Sequence, residues 1–479
     1  MSAPLESLLE TALSWVVYLC LGYLVLVAVL YAILVVVSAL DNALRVRQTR
    51  TEDFRTLALS RFTVPVSVVV AAYNESALIR ESVRSLLELD YPEHEVIVVN
   101  DGSTDATLEL LQAEFDLVPQ HIYVRRVLET EQVRQIYRSR LDPRLVVVDK
   151  ANGGKADALN CAINFSRYPY VCGVDGDTLL FPDALLRAMR PVLRDPAAII
   201  GVTSHLTISS APEVVAARRE VRGDYRPLLA FQQLDYLRAF MTNRLGWSRL
   251  NFMLCAVGAF QIWRRDVLEE LGGFARHFSC EDIELTFRAH ERYLREGREY
   301  RILSLPHTVG VTEGPDRMRS LVAQRERWQR VILETFWAYR RMLARPRYRS
   351  VGVAGMPFYL LSEVLAPLFE VLSIATLVVA VATGRMDWSA ALLVGGILAF
   401  GTGLLTACAV LISDVAERTL PKRKLAALVA LAPLELVLYR PALIYARLLG
   451  TVRFFRGDRQ WHKFERNSRP QATAEPAGG

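Results

Sequence analysis

The chain has 479 residues, 52% of them hydrophobic, and a formal net charge of +6. That length suggests two or three domains, and the hydrophobic excess gathers in residues 11–40 and 351–449, leaving 60–345 with ordinary globular composition. Six cysteines without a CxxC pair argue against a disulfide framework or a zinc site, and seven histidines form no HExxH pattern.

Thr11 to Leu40 contains no charged residue, and thirty residues exceed the roughly 20 that cross a bilayer. A signal peptide would begin with basic residues and have a shorter apolar core. Here the start holds Glu6 and Glu10, and Arg45, Arg47, Arg50 and Arg55 come after the apolar run. Positive-inside bias then puts the N-terminus outside and residue 45 onward in the cytoplasm.

Val64 to Ala72 is a valine-rich strand ending in Tyr73-Asn74-Glu75, and Leu78, Val83, Leu86 and Leu87 mark a helix after it. Residues 95–105 repeat the plan: a strand runs into Asn100-Asp101-Gly102, and Ser103 or Thr104 is placed to cap the next helix. Alternating strand and helix predicts a parallel sheet with right-handed crossovers and acidic or amide residues along one edge. Residues 116–145 hold six arginines and few turn signals, so they read as a solvated helix with flanking loops. Leu145 to Asp149 is again a strand. Asn152-Gly153-Gly154-Lys155 opens the following helix; it lacks P-loop spacing, but a lysine beside two glycines at a helix start suits an anion, and a plain helix N-terminus reads equally well.

Val171 to Val174 is a short buried strand ending in Asp175-Gly176-Asp177. Two neighbouring carboxylates repel unless a cation lies between them. A hard divalent metal shared with a diphosphate would relieve that repulsion; a solvated Asp-Gly turn is the plainer reading. Ile199 to Thr203 is another strand, and residues 213–250 read as helical. Ala256 to Gln261 is small and apolar, suited to close backbone approach. Cys280-Glu281-Asp282-Ile283-Glu284 opens a charged helix, with carboxylates where a helix dipole favours them. Gln324-Arg325-Glu326-Arg327-Trp328 lies in a helix that continues through Phe336 and Trp337. A basic run, Arg345 to Arg349, precedes three apolar segments: 351–384, 388–412 and 425–449. The first and third carry Glu363, Glu370, Glu435, Arg440 and Arg447, ionisable groups that at membrane depth face a polar path.

In order, VVAAYNE, VVNDGSTD, NGGKADALN, VDGD, GAF, CEDIEL and QRERW resemble the membrane-embedded processive family 2 glycosyltransferases: the cellulose, hyaluronan, chitin-oligosaccharide and poly-N-acetylglucosamine synthases. The likeness covers about residues 60–345 and the flanking membrane segments. It implies an α/β fold: a GT-A-type nucleotide-sugar-binding domain with a mostly parallel central sheet, flanked by transmembrane and interfacial helices. The expected division is 1–45 transmembrane helix, 60–320 cytoplasmic catalytic domain, 321–350 interface helix, 351–450 membrane helices and 451–479 basic cytoplasmic tail.

The resemblance also implies roles. Tyr73, Glu75 and Asp101 would line the uridine pocket, and Lys155 would contact UDP. Asp175 and Asp177 would hold Mg²⁺ or Mn²⁺, with Asp175 also supporting the nucleotide-sugar. Asp282 would be the general base, beside Glu281. Gln324, Arg325 and Arg327 would meet the diphosphate, and Trp328 the acceptor sugar. Trp461, Lys463 and Arg466 resemble a segment that closes over UDP in some relatives. The partners implied are a UDP-sugar, a growing polysaccharide and the bilayer, with room for an accessory secretion subunit and no nucleic acid.

The expected reaction is inverting, metal-dependent and processive, with secretion across the inner (plasma) membrane by a multi-pass protein. Glu-Asp-Ile at 281–283 favours UDP-GlcNAc; a UDP-glucose β-glucan synthase and a non-processive lipid-linked sugar transferase are the alternatives. A transporter with a cytoplasmic regulatory domain is the reading from a different class. Cys280 stands where cellulose synthases usually carry Thr, and a PilZ-type domain is not expected in the residues after 449. Positive-inside bias places the basic tail in the cytoplasm, so either 425–449 is re-entrant or interfacial or 351–384 is no simple crossing.

Overall fold

The computed structural model describes residues 3–49, 63–121, 123–209, 213–215, 220–222, 226–417 and 422–457. Helix α1 (Ala3–Thr49) leads in. It turns Trp15, Leu19, Val25, Val29 and Val36 outward along its length, an arrangement that suits lipid. Two helices among the described residues are long and apolar enough to cross a membrane, Thr11–Gln48 and Ala391–Glu417.

The catalytic-sized unit comes next as β1 (Val66–Ala72), α2 (Ile79–Leu87), β2 (His94–Asn100), α3 (Thr107–Phe115), β3 (Leu117–Gln120), β4 (Val133–Ser139) and β5 (Leu145–Lys150). It continues with α4 (Lys155–Phe165), β6 (Tyr170–Asp175), β7 (Leu179–Leu180), α5 (Ala184–Arg194) and β8 (Ile199–Ser209). A small hairpin of β9 (Glu213–Val215) and β10 (Glu220–Arg222) precedes α6 (Pro227–Arg238), β11 (Phe260–Arg264), α7 (Glu281–Arg295) and β12 (Arg301–Glu313).

Ten strands form one sheet in the order β3-β4-β5-β2-β1-β6-β11-β8-β12-β7. Its centre, β5-β2-β1-β6, is parallel, whereas β11 runs against both neighbours and the outer strands β3, β4 and β7 are antiparallel. The sheet is therefore mixed, parallel where the acidic strand ends lie. Period-two alternation builds two cores, one on each face. Val66, Val68, Val70, Val96 and Val98 pack under α2 and α5, while Val69, Ile97, Val99 and Val148 pack under α4 and α7. Each such side chain contributes about 1.5–3 kcal/mol on burial.

Two stretches differ from the sequence reading. Residues 117–120 and 133–139 form the two outermost strands at one edge, β3 and β4, not a helix. Arg134 and Arg138 share a face at spacing four in a strand as well as in a helix, and Ile136 and Tyr137 pack into opposite cores. Charged side chains on edge strands also deter further pairing. Within 213–250, the hairpin β9–β10 comes first and the helix starts only at Pro227, a residue suited to the first helical position. The cap of α3 differs too: Asp105 Oδ1 accepts from Thr107 N at 3.0 Å, while Ser103 and Thr104 bond Asn74.

After β12 come α8 (Met318–Tyr339), α9 (Ala366–Ala382), α10 (Trp388–Glu417) and α11 (Arg440–Phe455). α1 serves as a depth scale for them. Tyr23 donates to Leu361 O at 2.8 Å and stacks on Phe369. Tyr31 meets Phe358 edge-on, and Ser38 donates to Thr242 O at 2.7 Å. Both apolar segments that carry ionisable residues are broken, 351–382 by a 41° bend and 425–455 by a 51° bend. At the end of α10, Glu417 is 1% exposed and accepts from Arg187 of α5 at 2.9 Å, with His307 of β12 at 3.5 Å. α11 lies close along α8: a Cβ at Gly450 would come within 2.5 Å of Glu326 O.

Candidate active site

The parallel strands end level. Asn100 pairs with Asp149, and Ala71 with Asp175, so Tyr73, Asp101, Lys150 and Asp175 emerge at one edge of the sheet. Ligands of open α/β sheets bind off such an edge.

Asp101 turns to its own scaffold. Oδ1 accepts from Lys150 Nζ at 2.5 Å and from Gly153 N at 3.0 Å, and Oδ2 from Gly154 N at 2.8 Å. Lys150, fully buried, also meets Asp157 at 2.6 Å. The Asn152–Lys155 loop is thus fastened by a buried ion triad, and Asp101 is a loop anchor in this structure. The fastening fixes where α4 begins and hence where Lys155 sits.

Lys155 gathers the acidic groups. Its Nζ lies 2.7 Å from Asp175 and 2.8 Å from Glu281. Burial opposes its charge, but Asp175, Glu281 and Asp282 outweigh that and hold it well above the usual lysine range. Glu281 and Asp282 open α7, where the helix dipole favours anions. Asp282 Oδ2 accepts from Gly258 N at 2.6 Å, and Oδ1 from Ile283 N at 2.6 Å and the Cys280 thiol at 2.8 Å. Burial and the neighbouring Glu281 nonetheless push the Asp282 carboxyl upward. Gly258 lets both side chains come close: a Cβ there would sit 2.9 Å from Asp282 Oδ2 and 3.1 Å from Lys155 Nζ and push them aside.

Asp177 is pushed up to about 7 by burial, then by Asp175 and Glu313. Glu313 is a residue the sequence reading missed. Val311 pairs with Leu179 in an antiparallel register, which two residues on brings Glu313 opposite Asp177. The signal was available, because β12 too is an apolar strand ending in a carboxylate before Gly314-Pro315. Among the described residues no three His, Cys, Asp or Glu side chains form a metal cage by themselves. The donors still fit a hard cation, for three crowded carboxylates lack sufficient positive charge and such a cation takes few protein ligands when a diphosphate supplies the rest.

QRERW approaches from α8. Arg325 pairs with Asp235 at 2.9 Å, reaches Tyr439 OH at 3.3 Å and lies 4.3 Å over the Trp328 ring. Trp328 and Tyr236 face each other at 6.2 Å. Burial raises the Tyr236 phenol. Gln324 presents a buried Oε1 with no hydrogen-bond partner among the described residues, and Arg327 is half-buried. Glu326 faces away, to Arg330 at 2.6 Å and Arg453 at 3.5 Å. α8 also touches the start of α7: Ser279 N donates to Glu334, and Tyr339 OH to Glu284 at 2.6 Å.

A glycosyl transferase family 2 model matches residues 67–272, and a glycosyl transferase family group 2 model matches 170–402. Together they run from β1 through α8 into α10. The chain belongs to glycosyltransferase family 2. Poly-beta-1,6-N-acetyl-D-glucosamine synthase of Staphylococcus epidermidis is 25% identical over 276 residues, 57% of this chain and 56% of that protein. The Staphylococcus aureus protein of the same name is 25% identical over 288 residues, 59% of each. These matches span less than two thirds of the relatives' length. A mannosyltransferase from Pyrobaculum calidifontis, solved with GDP-Man and Mn²⁺, shares the fold, with a TM-score of 0.55 at 21% identity over 90% of this chain and 99% of its own.

In this GT-A glycosyltransferase the structure brings together Lys155, Asp175, Asp177, Glu281 and Asp282, and sets Trp328 beside Tyr236. Glu75 packs on the DGD turn, its Cγ 3.1 Å from where a Gly176 Cβ would be. Tyr73 is half-buried at the sheet edge. Trp461, Lys463 and Arg466 lie outside the described residues. Asp235, Tyr236 and Lys150 also escaped the sequence reading, because each lies inside an ordinary helix or strand pattern and gains its place only through tertiary packing.

Proposed function

We propose that this family 2 glycosyltransferase polymerises a β-linked polysaccharide from a UDP-sugar, UDP-GlcNAc being the favoured donor, by direct displacement with inversion. The observation that carries the reading is the convergence of Asp282 with Asp175 and Asp177 about the Lys155 ammonium. Asp282 is the group to take the acceptor hydroxyl proton, its carboxyl made more basic by burial and Glu281. Lys155 and Arg327 offset charge on the departing UDP, while Trp328 and Tyr236 give flat faces for the acceptor sugar. A divalent ion, Mg²⁺ or Mn²⁺, held by Asp177 and Asp175 would supply further stabilisation of the diphosphate. The likeness to the staphylococcal synthases supports UDP-GlcNAc.

The exposed apolar helices support a multi-pass protein of the inner (plasma) membrane with its sheet domain in the cytoplasm, passing product outward alone or with an accessory subunit. The test is UDP release by purified protein with UDP-GlcNAc or UDP-glucose, with Mg²⁺, Mn²⁺ or EDTA, followed by digestion of the product with linkage-specific hydrolases. Metal-dependent release from UDP-GlcNAc and a hydrolase-sensitive polymer are expected. Release from UDP-glucose alone overturns the donor assignment, and a single-sugar product overturns polymerisation.

A further inference from the structure

Between the end of α8 and the first membrane segment, five arginines lie within ten residues: Arg340, Arg341, Arg345, Arg347 and Arg349. All five are exposed, and among the described residues none has a carboxylate within ion-pair distance. The segment is built, not loose. Met342 and Tyr348 are buried in the core, and Gly352 packs so tightly that a Cβ would lie 2.3 Å from Arg345 O. Ser350 Oγ donates to Asn251 O at 3.0 Å, and Arg347 donates to Arg295 O in the last turn of α7 at 3.2 Å. Trp337, 58% exposed, carries the Arg340 guanidinium 4.7 Å over its ring.

The depth of this platform is set by α1. Leu361 and Phe369 stand level with Tyr23, and Phe358 with Tyr31. Arg249 meets Asp41 of α1 at 3.9 Å and Ser350 bonds Asn251 two residues further on, so the platform ends near the level of Asp41, one turn before Arg45. That is where the apolar surface of α1 gives way to charge. A rigid array of unpaired guanidinium groups beside an exposed indole, at the edge of a membrane segment, matches the chemistry of a leaflet carrying phosphate headgroups. Guanidinium also bonds phosphate in a bidentate fashion, which ammonium does not.

We propose that residues 340–349 form a docking platform for anionic phospholipid headgroups, which pins the C-terminal end of α8 and the last turn of α7 to the membrane surface. Those two helices carry QRERW and Asp282 at their other reaches, so the contact orients the catalytic face toward the bilayer. The inference rests on the membrane reading of the apolar helices and not on the identity of the donor sugar.

The test is electron spin resonance of the full chain reconstituted in phosphatidylcholine, with trace spin-labelled phosphatidylglycerol or phosphatidylcholine. The wild type should immobilise phosphatidylglycerol preferentially, and the preference should fall in high salt. R345Q/R347Q/R349Q should lower it, by up to about fivefold per arginine in direct contact, whereas R345K/R347K/R349K should keep most of it and so separates lost charge from misfolding. Equal immobilisation of the two lipids by the wild type overturns the proposal, as does a preference unchanged in the Gln variant. Displacement of the labelled lipid by millimolar inorganic phosphate would assign a free-anion site and also overturn it. UDP release from the same samples reports the glycosyltransferase reading separately.

Discussion

At the scale of single residues, Asp282 and Lys150 carry different burdens. Asp282→Asn removes the proton acceptor yet keeps the shape and the Gly258 contact. Turnover should fall about 10²–10⁴-fold with UDP binding, read by calorimetry, largely retained; near-wild-type turnover would refute its role as base. Lys150→Met leaves Asp101 as a buried carboxylate without a counter-charge and Asp157 with only the partly exposed Arg276, at a cost of about 3–5 kcal/mol. Chemical unfolding should show that loss, and a Lys150→Met protein as stable as wild type would show the triad to be dispensable. Much of this site was legible in the chain. DGD, CEDIEL and NGGK could be placed because a strand end or helix start is a local pattern. Glu313 carried the same strand-end signal and was missed, whereas Tyr236 and the anchoring use of Asp101 were not legible in that way, since each depends on how a distant element packs.

At the scale of elements, local pattern failed where two periods coincide. Arginines at spacing four in 134–138 satisfy both a helix stripe and a strand face, and only pairing with β5 decides between them. α7 offers a test of another kind. His290 is fully buried in this helix, bonded to Tyr300 OH and Met253 O, and burial lowers its pKa from an ordinary 6.5 to about 4. The folded state therefore binds this proton more weakly than the unfolded state. Its contribution is intact above about pH 6.5 and is lost as pH falls toward 4, up to about 3 kcal/mol. Thermal unfolding between pH 7 and 5 should decline more steeply for the wild type than for His290→Gln. Parallel declines would show that His290 does not set this slope.

At the scale of the molecule, the proposed membrane reading and the contacts together give an itinerary. If residue 345 lies on the cytoplasmic side, 351–382 would ascend past Phe358, Leu361 and Phe369, and α10 would return, because Glu417 is held by Arg187 of the sheet domain. The bent segment 425–455 then begins on that side and ends against α8, where Arg453 meets Glu326. It should re-enter without crossing, and the tail beyond residue 457 should emerge in the cytoplasm. In a background lacking native cysteines, a thiol at Ser468 should resist a membrane-impermeant reagent on intact cells, while one at Ser2 should react. Equal labelling would mean that 425–455 crosses. The clamp at Glu417 has a mechanical consequence as well. Glu417 also meets His307, six residues before Glu313 on the same strand, so α10 is tied through β12 to the carboxylate opposite Asp177. If the protein moves its product as proposed, a shift of α10 and a shift of the carboxylates at the sheet edge would be linked through that one strand.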